Sequence, residues 1–163
     1  LVGKWRANLT KVKLPKSVSG LLKQRVTKGQ EFLLFLPHVA DLAPVARALK
    51  EKLGAVKFMT VHASDPQRLQ KVQAMRERQL SFLVTTTILE RGVTFPGIDV
   101  GVLGADEEVF STAALVQIAG RVGRSKERPG GAVTFWVQEN SRRIEEAKQQ
   151  IKSMNRRARG VSK

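Results

Sequence analysis

The sequence predicts an α/β domain, an open and mostly parallel sheet with helices on both faces. Short, continuous apolar runs bounded by Gly or Pro recur along the chain, as in strands covered on both sides. Between them, apolar residues return every three or four positions, as on the buried stripe of a surface helix. The scale fits as well: 163 residues, 42% hydrophobic and 26% charged, suit one domain with a real core rather than a disordered chain. Strands alternating with helices lead to parallel strands joined by crossovers.

In chain order, residues 16–28 (KSVSGLLKQRVTK) read as a helix stopped by Gly29. EFLLFLP (31–37) is an apolar strand ended by Pro37. Val39, Leu42, Ala46, Leu49 and Leu53 then recur at helical spacing, and Gly54 closes that helix. AVKFMTV (55–61) is the second strand. Asp65-Pro66 opens a helix with a capping carboxylate and a first-turn proline, its apolar side carrying Leu69, Val72 and Met75. SFLVTTT (81–87) and IDVGVLG (98–104) are the third and fourth strands. Ser111 caps a helix through STAALVQIAGRVG, AVTFWV (132–137) is the fifth strand, and a last helix runs from about Asn140 to Arg157. That helix turns Ile144, Ala147, Ile151 and Met154 inward. SKERPGG (125–131) reads as a mobile loop and the basic NRRARGVSK end as a frayed tail. The expected division is a basic lead-in over 1–15, a folded domain over 16–158 and a tail over 159–163. A chain beginning at Leu1 reads as a fragment.

Charge narrows the partners. Lys and Arg total 29 against 14 Asp and Glu, for a net charge of +15 and a pI near 11. Such a field attracts polyanions, and nucleic acid is the expected partner over a merely solvated basic surface. No apolar run approaches the roughly 20 residues of a membrane span, and no signal peptide opens the chain. The absence of cysteine excludes disulfides and thiolate metal sites.

In open α/β sheets, ligands gather at the carboxyl ends of strands, and the residues expected there are unusual. In TTTILERGVTFP, Thr85, Thr86 and Thr87 end an apolar strand, and Gly92 permits close backbone approach. Hydroxyls at such an edge hold phosphates, although β-branched threonines also simply favour strands. In LVQIAGRVGRS (115–125), Gln117 precedes Arg121 by one helical turn, Arg124 follows, and Gly120 and Gly123 keep the backbone bare. Guanidinium forks match phosphate oxygens. A basic helix end complementing the macrodipole is the plainer alternative, but it needs neither Gln117 nor both glycines. VGVLGADEE leads an apolar strand into Asp106, Glu107 and Glu108, which read as a surface loop.

QIAGRVGRS resembles the Q-x-x-G-R-x-G-R motif of superfamily-two helicases, and VTTTILERGVTFP is similar to the segment preceding it there. FLLFLPHV and VHASDPQR resemble the first two motifs of the second RecA-like domain. All four occur in the expected order over residues 31–125. The stretch from Thr85 through Arg124 resembles the competence-type DNA translocase family ComFA, with the primosomal helicases as the neighbouring possibility.

The resemblance implies a RecA-like fold and the C-terminal motor domain of an ATP-dependent single-stranded-DNA translocase. Arg121 and Arg124 are then arginine fingers for the γ-phosphate of ATP, Gln117 orients that phosphate or the attacking water, and Gly92, Gly120 and Gly123 line the nucleotide cleft. Thr86, Thr85, His38 and Arg68 fall where such domains touch the DNA backbone; for His38 and for His62 with Arg68, a structural role is the alternative. Glu90 and Arg91 are candidates for a polar link between the two sites. Many helicases place an aspartate two residues beyond this glycine, where this sequence has Thr94, which weakens any ribose contact. No G-x-x-x-x-G-K-[ST] loop exists. ATP and Mg2+ are therefore expected on an N-terminal RecA-like domain of the same protein, with nothing bound to this stretch alone and no hydrolysis by it alone. The implied partners are that domain, single-stranded DNA and other competence or recombination proteins, at a cytoplasmic site by the inner face of the membrane. Two rivals remain: a nucleic-acid-binding module without a motor, and a small phosphohydrolase using Asp106 and Glu107. Isolated binding would rest on the last helix, with Arg142, Arg143, Lys148 and Lys152.

Overall fold

The computed structural model describes residues 14–62, 64–86, 98–119, 133–139 and 141–160, with side chains described through Ser153. Five strands form one sheet: β1 (Phe32–Phe35), β2 (Phe58–Val61), β3 (Phe82–Thr85), β4 (Asp99–Leu103) and β5 (Val133–Trp136). Their order is β2-β3-β1-β4-β5 and every pair is parallel. This is the RecA-like α/β architecture expected from the sequence. β1, the most apolar run, lies in the middle and is buried throughout.

Strand alternation sorts the core into two layers. Phe32 and Leu34 of β1 and Phe82 and Val84 of β3 face one layer. There they meet Val18 and Leu22 of α1 (Lys16–Thr27) and Leu42, Val45 and Leu49 of α2 (Leu42–Leu53). Leu33, Phe35, Leu83, Val100 and Val102 face the opposite layer. That layer holds Val72 and Met75 of α3 (Arg68–Arg76), Leu115 and Ile118 of α4 (Thr112–Ala119) and Ile144 and Ala147 of α5 (Arg142–Gly160). The chain changes sides of β1 between β3 and β4, which makes the carboxyl edge beside β1 a topological switch point.

Helix ends follow local chemistry. Gly29 and Gly54 adopt φ of +68° and +64°, the left-handed conformation that stops α1 and α2. Ser111 Oγ accepts the Ala114 N–H at 3.1 Å, and Ser141 Oγ accepts the Ile144 N–H at 3.3 Å. Thus α5 is capped at Ser141, one residue beyond the expected Asn140. It continues to Gly160, through backbone expected from the sequence to be frayed. A 3-10 turn, Val39–Asp41, precedes α2, leaving Val39 54% exposed rather than on the core stripe. Leu69 is likewise no core residue, at 68% exposed. Helix α3 begins only at Arg68, and Leu69 lies about 90° around it from the midpoint of Val72 and Met75.

One border of the sheet is β2, the other β5. The Lys57 carbonyl accepts the Ser81 N–H at 2.8 Å, so alternate residues face β3 and the Thr60 carbonyl points outward. Lys71 Nζ donates to that carbonyl at 2.7 Å and to Asp65 Oδ2 at 2.6 Å.

Candidate functional site

The carboxyl edge is assembled by register. Phe35 stands beside Thr85 on one side and Val102 on the other, and Val61 is also opposite Thr85. The Leu36 N–H donates to the Thr85 carbonyl at 2.8 Å, extending the β1–β3 ladder by one step. The next residues, His62, Thr86, Pro37-His38 and Gly104–Glu107, therefore form the rim.

Along this rim the expected contact residues separate. Thr85 has no accessible surface, because alternation turns its side chain into the layer of Phe35 and Val61. Its Oγ1 finds no hydrogen-bond partner among the described residues. That placement takes Thr85 off the set of surface contacts expected from the sequence. Thr86, one step on, is also buried, at 6% exposed. The His38 side chain is 55% exposed. Its backbone is fixed by Asp41: the His38 N–H donates to Asp41 Oδ2 at 3.1 Å, and the Asp41 N–H donates to the His38 carbonyl at 3.0 Å. Its Nε2 lies 3.5 Å from Glu107 Oε1, joining the ends of β1 and β4.

At the end of β2, the Asp65 carboxylate accepts the Gln67 N–H at 2.8 Å and the Lys71 ammonium. These donors hold its pKa below the ordinary aspartate value, the Lys71 hydrogen bond contributing most. The Arg68 N–H donates to the Asp65 carbonyl at 3.1 Å, placing the half-buried Arg68 side chain at the start of α3.

Gln117 is exposed on α4 between the buried Leu115 and Ile118. Helix α4 leaves the carboxyl edge at Ser111, so Gln117 sits roughly 7–8 Å down its axis at 1.5 Å per residue. The structure does not bring it to the rim beside Thr86 and His38. Gly92, Gly120, Arg121, Gly123 and Arg124 lie outside the described residues, as do Glu90, Arg91 and Thr94.

Asp106, Glu107 and Glu108 form the turn between β4 and α4, as expected. Asp106 Oδ2 accepts the Glu139 N–H at 3.3 Å. Among the described residues, no group of three His, Asp or Glu side chains could hold a metal ion.

Two polar anchors escaped the sequence reading. Arg143, expected on a DNA-facing surface, instead turns inward. Its guanidinium donates to the carbonyls of Asp106 at 2.9 Å, Glu108 at 3.3 Å and Phe110 at 3.4 Å. It thereby fixes the turn that launches α4 against the first turn of α5. Arg142 pairs with Glu146 at 3.3 Å and Lys148 with Glu145 at 3.5 Å, so α5 does not offer the uniform basic face expected of it. At the opposite end of the sheet, Arg25 Nε lies 2.8 Å from Asp99 Oδ2, with Asp99 fully buried. Neither partner betrays the other in sequence, since only the strand order brings α1 over β4. Glu31, nearby, has its pKa raised by burial, an effect partly offset by the Arg78 charge.

Comparisons with known proteins agree with this architecture. Residues 13–126 match the helicase conserved C-terminal domain family. The chain is 42% identical over 154 residues to the competence protein ComFA of Bacillus subtilis (strain 168), covering 94% of this chain and 33% of that protein. It is 40% identical over 144 residues to ComFA of Streptococcus pneumoniae (strain ATCC BAA-255 / R6), covering 88% of this chain and 33% of that protein. The chain thus spans about a third of the length of these relatives. By fold, it is similar to the E. coli DEAD-box protein SrmB solved with the regulator of ribonuclease activity A. The TM-score is 0.63 at 16% identity, covering 92% of this chain and 86% of that one. Among the described residues, no helix is long and apolar enough to cross a membrane. The matched span includes the Gln117–Arg124 motif, and together with the parallel RecA-like sheet it shows that the chain belongs to the helicase conserved C-terminal domain family.

Proposed function

We propose that this domain is the second lobe of an ATP-driven motor that moves single-stranded DNA during competence. The observation that carries the reading is the match to two competence proteins over 94% and 88% of the chain. In this reading, ATP and Mg2+ are held mainly by a preceding RecA-like lobe of the full-length protein. That assignment suits the sequence, which has no phosphate-cradling lysine loop.

This lobe supplies cations and positioning groups to the cleft. The Arg121 and Arg124 guanidiniums face charge developing on the transferred phosphoryl oxygens, and Gln117 orients the γ-phosphate or the attacking water. The exposure of Gln117 suits that role, and the glycines at 92, 120 and 123 let backbone approach the nucleotide. On the polymer side, Thr86, His38 and Arg68 contribute to a backbone track. Contacts of this kind are sequence-tolerant and salt-sensitive. Closure of the lobes around nucleotide and their parting after hydrolysis then alternate the grip on the strand. Other competence or recombination proteins are partners of the assembled motor at the inner face of the membrane.

The test uses the full-length protein. Arg124→Ala should reduce DNA-stimulated ATP turnover by about a thousandfold or more, with folding and DNA binding retained. Turnover equal to that of the parent refutes the finger assignment. Equal stimulation by DNA and RNA refutes the choice of polymer.

A further inference from the structure

We infer that the outer face of α1 and α2, away from both the rim and α4, is a second nucleic-acid surface that seats the phosphate backbone of duplex DNA. The inference goes beyond the motor reading and does not rest on it.

The distribution of paired and unpaired cations points there. On the α3–α5 side, four of the described basic side chains are engaged, Lys71 with Asp65 and Thr60, Arg142 with Glu146, Lys148 with Glu145, and Arg143 with three carbonyls, while Lys152 is exposed. On the α1–α2 side, Lys16, Lys23, Lys28, Lys50 and Lys52 are exposed and have no acidic partner among the described residues. Glu51 is the one exposed acid on these two helices. An excess of unscreened ammonium groups on one face gives that face a positive potential complementary to polyphosphate.

Geometry adds a seat. Lys16, Gly20 and Lys23 follow at i, i+4 and i+7 and share the outward stripe of α1, opposite the buried Val18 and Leu22. Gly20 has no internal reason to lack a side chain: a Cβ there would meet nothing within 4 Å. Glycine inside a helix is unfavourable relative to alanine. Here it leaves bare backbone between two lysines about 10 Å apart along the axis, an opening into which a phosphate ridge can settle.

The face also selects the form of the polymer. Binding of single strands draws on aromatic side chains that stack bases. The exposed large hydrophobics among the described residues are Val39, Met59, Leu69 and Val109, none aromatic. Phe58, on the α1–α2 side, is stacked on Phe82 with ring centroids 4.7 Å apart. Among the described residues this face offers ammonium groups without a stacking platform and so reads charge density, and duplex DNA carries more charge per unit length than a single strand.

Fluorescence anisotropy with a labelled 20-base-pair duplex and a labelled oligothymidine, over a salt series, tests this on the full 163-residue chain. The triple variant Lys16→Glu/Lys23→Glu/Lys50→Glu is compared with Arg142→Glu/Lys148→Glu/Lys152→Glu, which changes net charge equally on the other side. The first should weaken duplex binding at least tenfold at low salt and flatten the salt dependence by two to three powers of concentration, about 0.9 per lost contact. The second should weaken it less than about threefold. Equal losses in the two triples mean that overall charge acts, not this face, and overturn the inference. A larger loss for oligothymidine than for duplex in the first triple overturns the choice of duplex. Gly20→Leu fills the opening without altering charge; it should raise thermal stability yet weaken duplex binding about threefold or more. Unchanged affinity removes the polymer from α1 and overturns the assignment. Circular dichroism confirms that each variant is folded.

Discussion

Gly101 in the middle of β4 lies directly beneath Trp136, and substituting it tests the packing that supports the β4–α4 connection. A Cβ built at Gly101 stands 2.4 Å from Trp136 Cζ3 and 2.8 Å from Phe32 Cζ. Carbon atoms in contact sit about 3.5–4.0 Å apart, so Gly101→Ala forces the indole to move by about 1 Å. It has little room: Trp136 is 5% exposed and Phe32 1%, both in the α1–α2 layer. Overpacking of this kind costs about 1–3 kcal/mol. The lower entropy of the unfolded chain with alanine offsets about 0.4–1 kcal/mol of that. The net expectation is a loss of about 1–2 kcal/mol. For a chain of this size that lowers Tm by roughly 2–8 °C. Thermal and urea unfolding followed by tryptophan fluorescence measure it, with Trp5 the only other indole. In a Trp136→Leu background the same substitution should cost less, because the obstructing ring is gone. The sign decides: glycine in a strand interior ordinarily gains from alanine, so equal or greater stability in the single variant, or full additivity in the double, would refute the packing.

The buried ion pair and the two perturbed carboxyls make further predictions. Arg25→Met removes the guanidinium that faces the buried Asp99 carboxylate and should destabilise by about 3–5 kcal/mol, read from urea unfolding; a loss under about 1 kcal/mol would show that this contact contributes little. Asp65 has a depressed pKa, so its stabilising share is present above the unfolded value near 3.9 and lost as pH falls through the lower folded value. Asp65→Asn should therefore lower Tm at pH 7 and converge with the parent in strong acid. For Glu31 the sign is opposite: its raised pKa makes it a liability once pH rises through the folded value. Glu31→Gln should melt higher than the parent at pH 7 and show no such advantage below about pH 4. Parallel melting curves across pH for either variant would contradict the assignment.

Much of the fold was legible because it is written locally. Apolar runs marked all five strands, and glycines that reach positive φ marked the ends of α1 and α2. Ser111 announced α4 because a hydroxyl cap acts within three residues. Leu69 and Val39 misled because periodicity fixes a face only after the helix start is known, and both elements begin later than their apolar pattern suggests. At the candidate site, residue type outran placement. Thr85 and Thr86 look alike in sequence and invite a reading as surface hydroxyls, yet both are buried, the first completely. Arg143 looks like its basic neighbours on α5, but carbonyls presented by a turn some 35 residues away draw it inward. Arg25 and Asp99 meet only because β4 crosses to the far side of β1, a choice of strand order that no local pattern encodes.

The ammonium bridging Thr60 and Asp65 has a consequence for crowding. Copies of a protein held at high local concentration collide side by side. A bare sheet border would then let strand β2 of one copy zip onto that of the next. Here a newcomer must first pull Lys71 away from both its carbonyl and its carboxylate, and must tolerate a second lysine arriving with it. Crowded copies can thus touch along this border and part again without fusing through it.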